Sequence, residues 1–225
     1  RRQRQMCIRD SVEGSISWLY YADRLLELPV GMVAVALSTV MLPHLSRQSS
    51  RGSGDSFNSL MNWGILMGLG LGLPAGIGLY ILAGPLVSVI FMSFEEGAMT
   101  YHDVRMAGLA LEMFAIALPG FVLVKILQTA FYATSQPTVV LKISLITVGI
   151  NVVGSLLLMP ILGHVGLSLA TAVSGTVAAL IMLYLLARQH RLCTSFLPIC
   201  GNIILASAVM GAAIIFLQFG MAIRD

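Results

Sequence analysis

The chain has 225 residues, 57% of them hydrophobic and 10% charged, with a net charge of +3 and a mean hydropathy of +0.90. Soluble domains carry roughly 25% charged residues, so a soluble globular domain and a disordered tail are both excluded. The positive charges are scattered, with no basic stripe to neutralise a run of phosphates, which excludes a nucleic-acid partner. Most of the chain is expected in lipid.

The opening, residues 1–11 (RRQRQMCIRDS), is unlike everything after it and reads as a translated sequencing adapter. Residues 1–13 are therefore set apart as non-native or disordered, and the transmembrane domain is expected over residues 14–225. No signal peptide of the charged, apolar, small-residue type opens the chain. The chain stops at Ile223, Arg224 and Asp225, directly after an apolar run, and so reads as a piece of a longer protein. Cys7, Cys193 and Cys200 lack CxxC spacing and are too few for a disulfide framework; they read as small apolar fillers.

A bilayer-crossing helix needs about 20 mainly apolar residues. Six stretches qualify: residues 16–45, 60–82, 107–131, 139–159, 165–187 and 198–219. They are long, continuous and rich in Leu, Ala and Gly, which argues against alternating membrane strands.

The first span is polar in its first half, where residues 20–29 read YYADRLLELP. Charges near the centre of a membrane helix cost about 2.5–3.5 kcal/mol each on insertion scales and normally face protein or water. At about 100° per residue, Ser17, Tyr20, Arg24, Glu27, Gly31 and Ser38 share one stripe within about 80°, flanked by Asp23. Leu26, Val30 and Val33 lie on other sides. One reading is an internal ion cluster in which Arg24 pairs with Glu27. The other is a hydrated cavity in which Arg24 meets an anionic substrate, for which a planar, permanently charged, bidentate guanidinium suits phosphate. The two coexist if carboxylates hold Arg24 between substrates. Pro29 removes one backbone hydrogen bond and can kink this helix.

The second span carries Gly64, Gly68, Gly72 and Gly76 on one stripe, with Pro74 inside it. Such a stripe lets helices approach closely in lipid; a bending point for a conformational cycle is the alternative. The third span holds Glu112 and Lys125, each near an end and on different sides. They either snorkel to the interface or face the same cavity as Arg24. The fourth span has Lys142 near its start, and the fifth and sixth carry no charge.

The first connector, residues 47–55, is basic and Gly/Ser-rich; the second, residues 93–105, is acidic with room for a short interfacial turn. Arg47, Arg51, Lys142, Arg188 and Arg191 fall in loops one, three and five, against Arg105 and Arg224 on the other side. Loops one, three and five are therefore expected in the cytoplasm. His44, His102, His164 and His190 show no metal-ligand spacing, and no phosphate loop or nucleophile–base pair is legible. Neither enzyme activity, metal nor cofactor is expected.

Residues 14–47, GSISWLYYADRLLELPVGMVAVALSTVMLPHLSR, closely resemble the MurJ/MviN family of lipid II flippases, whose pattern runs roughly YYADRLxxxPxGxxGxAxxTxxLPxLS. Further similarity lies in Asn62-Trp63, FEEGAMT at 94–100, GFVLVK at 120–125 with Phe131-Tyr132-Ala133, and GHVGLSLAT at 163–171. The resemblance implies an all-α, multi-pass inner-membrane protein of the multidrug/oligosaccharidyl-lipid/polysaccharide exporter superfamily. That fold has fourteen helices in two lobes around a cationic cavity. It implies outward movement of an undecaprenyl-pyrophosphate-linked disaccharide-pentapeptide, lipid II, by alternating access during cell-wall synthesis. On that map the chain resembles helices eight to thirteen, mainly the second lobe. Its partners would be lipid II, membrane lipids and the missing N-terminal lobe.

The family's cavity arginine in YADRL falls on Arg24. With it, Glu27, Asp23, Tyr20 and Lys125 are the candidate substrate-binding residues; Pro29, Gly64, Gly68, Gly72, Pro74 and Gly76 are the candidate hinge or packing residues. The turn after Phe131-Tyr132-Ala133 departs from the family's charged pattern, reading ATSQP. The alternatives are a cation-coupled drug or polysaccharide-lipid exporter using Asp23 and Glu27, and a non-transporting membrane scaffold.

Overall fold

The computed structural model of the chain describes residues 17–92, 101–190 and 197–222. Among the described residues, six helices are long and apolar enough to cross a membrane. They are α1 (Ser17–Ser50), α2 (Gly54–Ile81), α3 (Tyr101–Ala133), α4 (Pro137–Leu162), α5 (His164–His190) and α6 (Leu197–Ala222). No strand occurs among the described residues. The adapter-like opening, the FEEGAMT segment, Cys7, Cys193 and Arg191 lie outside the described residues.

All six expected spans are present, and the helices run past the apolar runs. Apolarity marks only the part of a helix inside lipid, whereas the backbone stays helical through the interface because its end groups need partners. Thus α2 opens at Gly54 on a polar turn with Asp55, where a carboxylate complements the helix dipole. Pro137 starts α4, where its missing N–H is no loss. A short helix, Ala83–Val87, follows α2 and leads into wider π-type turns at Ser88–Met92.

The longest departure from regular geometry is in α1. Directly after Pro29, residues Val30–Val35 form a π-helical segment before α-helix resumes at Ala36. Pro29 cannot donate to the i−4 carbonyl, and the wider i→i+5 turns accommodate that loss. The path stays helical. The wider turns also rotate later residues away from the 100° register. This is why Ser38, expected on the polar stripe, is half-buried against α3 and donates its hydroxyl to the Lys125 carbonyl at 3.4 Å.

Helix α3 is the centre of the bundle. It packs on α1, α2, α5 and the short helix, while α4 lies mainly on α5 and α6 on α2. Leu111, Leu118, Ile126 and Phe131 of α3 are fully enclosed. Helix α4 buries only Val140 and Ile143 and exposes Leu145, Leu156 and Ile161, as a helix facing lipid should.

The glycine stripe of α2 is buried along its length. A Cβ on Gly68 would meet Ile126, one on Gly72 would meet Pro119 and Val122, and one on Gly76 the Ala115 carbonyl. The stripe is thus the seat of α3. Pro119, unremarked in the sequence, is its main counterpart. Pro43, Pro119 and Pro160 all sit inside helices, as Pro74 does. Gly120 of α3 similarly presses on the Thr176 backbone of α5.

Contacts across the bundle sort the loops by end. Trp18 near the start of α1 meets Asp103 at the start of α3 and His164 at the start of α5. At the opposite end Gln189 reaches Gln136. Loops two and four therefore lie at the end where α1 starts. Loops one, three and five share the other end, the grouping the charge bias requires.

Candidate functional site

The polar stripe of α1 faces outward from the bundle. Ala22, Leu25 and Leu26 pack inward, while Tyr20, Asp23, Arg24 and Glu27 are exposed. Helical spacing fixes this arrangement: Tyr20 and Glu27 lie one turn either side of Arg24, within side-chain reach. Arg24 donates from Nε and Nη2 to the Tyr20 hydroxyl at 3.1 and 3.0 Å. Its Nη1 donates to Glu27 Oε2 at 3.2 Å. The Arg24 Cζ also sits 5.0 Å from the Tyr20 ring centroid, within cation–π range. Asp23 makes no hydrogen bond or ion pair with a described residue. The expected Arg24–Glu27 pair is present, yet both side chains remain well exposed, at 58% and 60%.

The start of α1 is fixed by an aromatic knot. Trp18 donates its indole N–H to Asp103 Oδ1 at 3.0 Å. The rings of His102 and His164 meet it edge-on at 5.8 and 5.1 Å between centroids. Arg24 lies six residues further, about 9 Å along the helix. The cation is therefore held at a fixed distance along α1 from a cluster of residue types common at membrane interfaces.

Lys125 is exposed on α3 beside the second half of α1. It stands level with Ser38, about 20 Å along the helix from Arg24, so the structure does not bring it to the Tyr20–Arg24–Glu27 group. Glu112 is elsewhere again. It lines a cleft of about 530 Å³ between α3 and the short helix, with Arg105, Tyr101, Ser88 and Gly84.

Two features were missed in the sequence. Asn151 in α4 donates to Thr171 and Ser174 of α5 at 3.0 and 3.2 Å. The legible signal was a lone carboxamide in an apolar span opposite small hydroxyl residues. The second is a groove of about 610 Å³ between α2, α3 and α6, lined by Leu73, Tyr80, Ile116, Pro119 and Ile215. It needs the packing of three helices, so no single run announces it. Among the described residues no metal-binding cluster of His, Cys, Asp and Glu occurs.

Six helices long and apolar enough to span lipid, one of them with an outward, arginine-centred polar face, define a multi-pass helical membrane protein among the described residues. Comparison narrows the class: residues 9–222 match the family described as lipid II flippase MurJ. The chain is 38% identical over 209 residues to a probable lipid II flippase MurJ of Haemophilus influenzae, covering 89% of this chain and 40% of that protein. It is 40% identical to the Vibrio cholerae counterpart, over 72% of this chain and 30% of that one. A solved structure titled lipid II flippase MurJ, inward closed conformation, superposes with a TM-score of 0.70 at 25% identity, covering 90% of this chain and 41% of that one. The chain belongs to the MurJ lipid II flippase family, proteins of the bacterial inner membrane. It covers between 30% and 41% of the length of these relatives.

Proposed function

We propose that the chain is part of the second lobe of a lipid II flippase, and that Arg24 is its contact for the pyrophosphate of the lipid-linked precursor. One observation carries this reading: an arginine on a membrane-spanning helix whose guanidinium is held by its own helix yet left exposed. Facing lipid, the charges of Arg24, Glu27 and Asp23 would each cost up to about 2.5–3.5 kcal/mol, the value at a helix centre. Facing a hydrated cavity closed by the other lobe, they are solvated and offer positive potential to an anion. The substrate's prenyl tail stays in lipid, and the transport step makes and breaks no covalent bond. Loops one, three and five face the cytoplasm. Asp23 and Glu27 balance the charge of Arg24 when no substrate is bound. Pro29, with the π segment after it, and Pro74 are the places where the lobes flex as they rock about the central site. Membership of the MurJ family favours this reading over a drug exporter or a scaffold.

The test uses the complete protein. Arg24→Ala should abolish complementation of flippase depletion at normal membrane levels. Arg24→Lys should impair it, since the charge survives but the planar fork does not. The comparison with Arg24→Ala plus Glu27→Gln decides between the two roles. A purely structural ion pair is relieved when both partners go, so recovery of growth in the double variant refutes substrate binding.

A further inference from the structure

We infer that Tyr20 is a positioning residue: its hydroxyl closes one edge of the Arg24 guanidinium and aims the remaining donors at an oxyanion. This rests on the reading of Arg24 as the pyrophosphate contact and says how that contact is made.

A guanidinium has five N–H donors in a fixed plane: one on Nε and two on each Nη. The Tyr20 oxygen accepts from Nε and from Nη2, the two nitrogens of one edge. Glu27 Oε2 accepts from Nη1. Three donors are thereby engaged. One N–H remains on Nη1 and one on Nη2; with Glu27 taking the Nη1 hydrogen on the Cδ side, these two lie parallel on the outer edge, the fork that a phosphate takes bidentately. Without the Tyr20 hydroxyl the Nε–Nη2 edge would be the better-separated fork, and the long side chain would rotate freely among orientations. Glu27 alone would draw the group along the helix, because a single bond from Nη1 does not fix the plane. Tyr20 fixes it by two bonds to one atom, and its ring lies under the cation at 5.0 Å.

The position of these residues along the chain strengthens the case. Tyr20, Arg24 and Glu27 all precede Pro29 and the π segment Val30–Val35. They belong to one regular stretch of helix, anchored at its start by Trp18 on Asp103. A flexing of α1 at the π segment would carry all three together, so the orientation of the fork would survive the motion. The phenolic oxygen accepts both of its bonds from Arg24, which leaves its own hydrogen free to donate outward.

The experiment separates hydroxyl, ring and charge in the complete protein purified in detergent. The probes are undecaprenyl pyrophosphate and, as an uncharged control, undecaprenol, with binding read by native mass spectrometry. Tyr20→Phe keeps the ring and, at an exposed site, should not disturb folding. It should weaken undecaprenyl pyrophosphate binding about tenfold and leave undecaprenol binding unchanged. In an Arg24→Lys background the same Tyr20→Phe change should have no further effect, because the two-nitrogen edge it acts on is gone. Wild-type pyrophosphate binding by Tyr20→Phe overturns the inference. So does an equal loss in the Arg24→Lys background, or a loss shared by undecaprenol, which would mark a packing role. If Arg24→Ala itself binds the pyrophosphate normally, the proposed function fails and this inference with it. If Arg24→Ala abolishes binding while Tyr20→Phe is silent, only the positioning role is refuted.

Discussion

The four stripe glycines of α2 look equivalent by spacing, and the structure says that they are not. At Gly76 an added Cβ would lie 2.9 Å from the Ala115 carbonyl oxygen, a backbone atom that cannot swing aside. At Gly72 the nearest atoms, in Pro119 and Val122, are 3.5 Å away, an ordinary contact. At Gly64 the obstacle is the flexible end of the Met41 side chain. Gly76→Ala must therefore push α2 and α3 apart by about 0.5 Å, and gaps of that order forfeit a quarter to a half of each dispersion contact they open. Overpacking of this kind costs about 1–3 kcal/mol. Both alanines recover about 0.4–1 kcal/mol from the unfolded chain, so the difference between Gly76→Ala and Gly72→Ala should be about 1–3 kcal/mol. Gly76→Ala should therefore melt measurably below Gly72→Ala. Gly72→Ala should match or slightly exceed the wild type, and Gly64→Ala should fall between. The measurement is thermal unfolding of the complete protein in detergent, followed by size-exclusion fluorescence. Equal melting temperatures for the Gly76 and Gly72 variants would refute the close-approach argument and return the stripe to a uniform packing surface.

Two further outcomes follow from the same contacts. In a cysteine-free background, single cysteines at Ser50 and Ser135 should be labelled by an impermeant thiol reagent from one side of the membrane and at Tyr101 from the other; labelling of all three from one side would overturn the topology. Asn151→Leu removes the donor to Thr171 and Ser174, whose hydroxyls also bond their own helix backbone. The loss should be modest, about 0.6 and at most about 1.7 kcal/mol, and a melting temperature lowered further than by Gly76→Ala would show that Asn151 has a larger role.

The six spans were legible because lipid imposes a single requirement, about 20 apolar residues in a row, and this chain meets it six times. The polar stripe of α1 was legible for the related reason that charges in such a run are rare, so their angular positions stand out. Ser38 was misplaced on that stripe because a fixed rotation per residue fails across the π segment, and nothing but Pro29 marks where the register changes. Pro119 was passed over because its role is to be a flat partner for Gly72 and Gly76, which depends on which helix faces α2. Tyr20 was recognised as a stripe residue, but its two bonds to one guanidinium edge are a matter of rotamers.

The arrangement of α1 also explains how one helix can hold a charge cluster and still serve as a structural element. Its inward side, through Ala22, Leu25, Leu26, Met41 and Leu45, belongs to the common core with α2 and α3. Those contacts are apolar and do not involve Arg24. Its outward side carries Tyr20, Arg24 and Glu27, whose side-chain bonds among the described residues are made within the helix itself. Because no bond from Arg24 reaches α2 or α3 among the described residues, a change of partner at the cation leaves the packing behind it undisturbed. A salt bridge linking Arg24 to another helix would have tied the cation to one arrangement of the bundle. Pairing confined to neighbours three and four residues away keeps the donor plane set and the core independent, so that the pairing of Arg24 and the integrity of the bundle can vary separately.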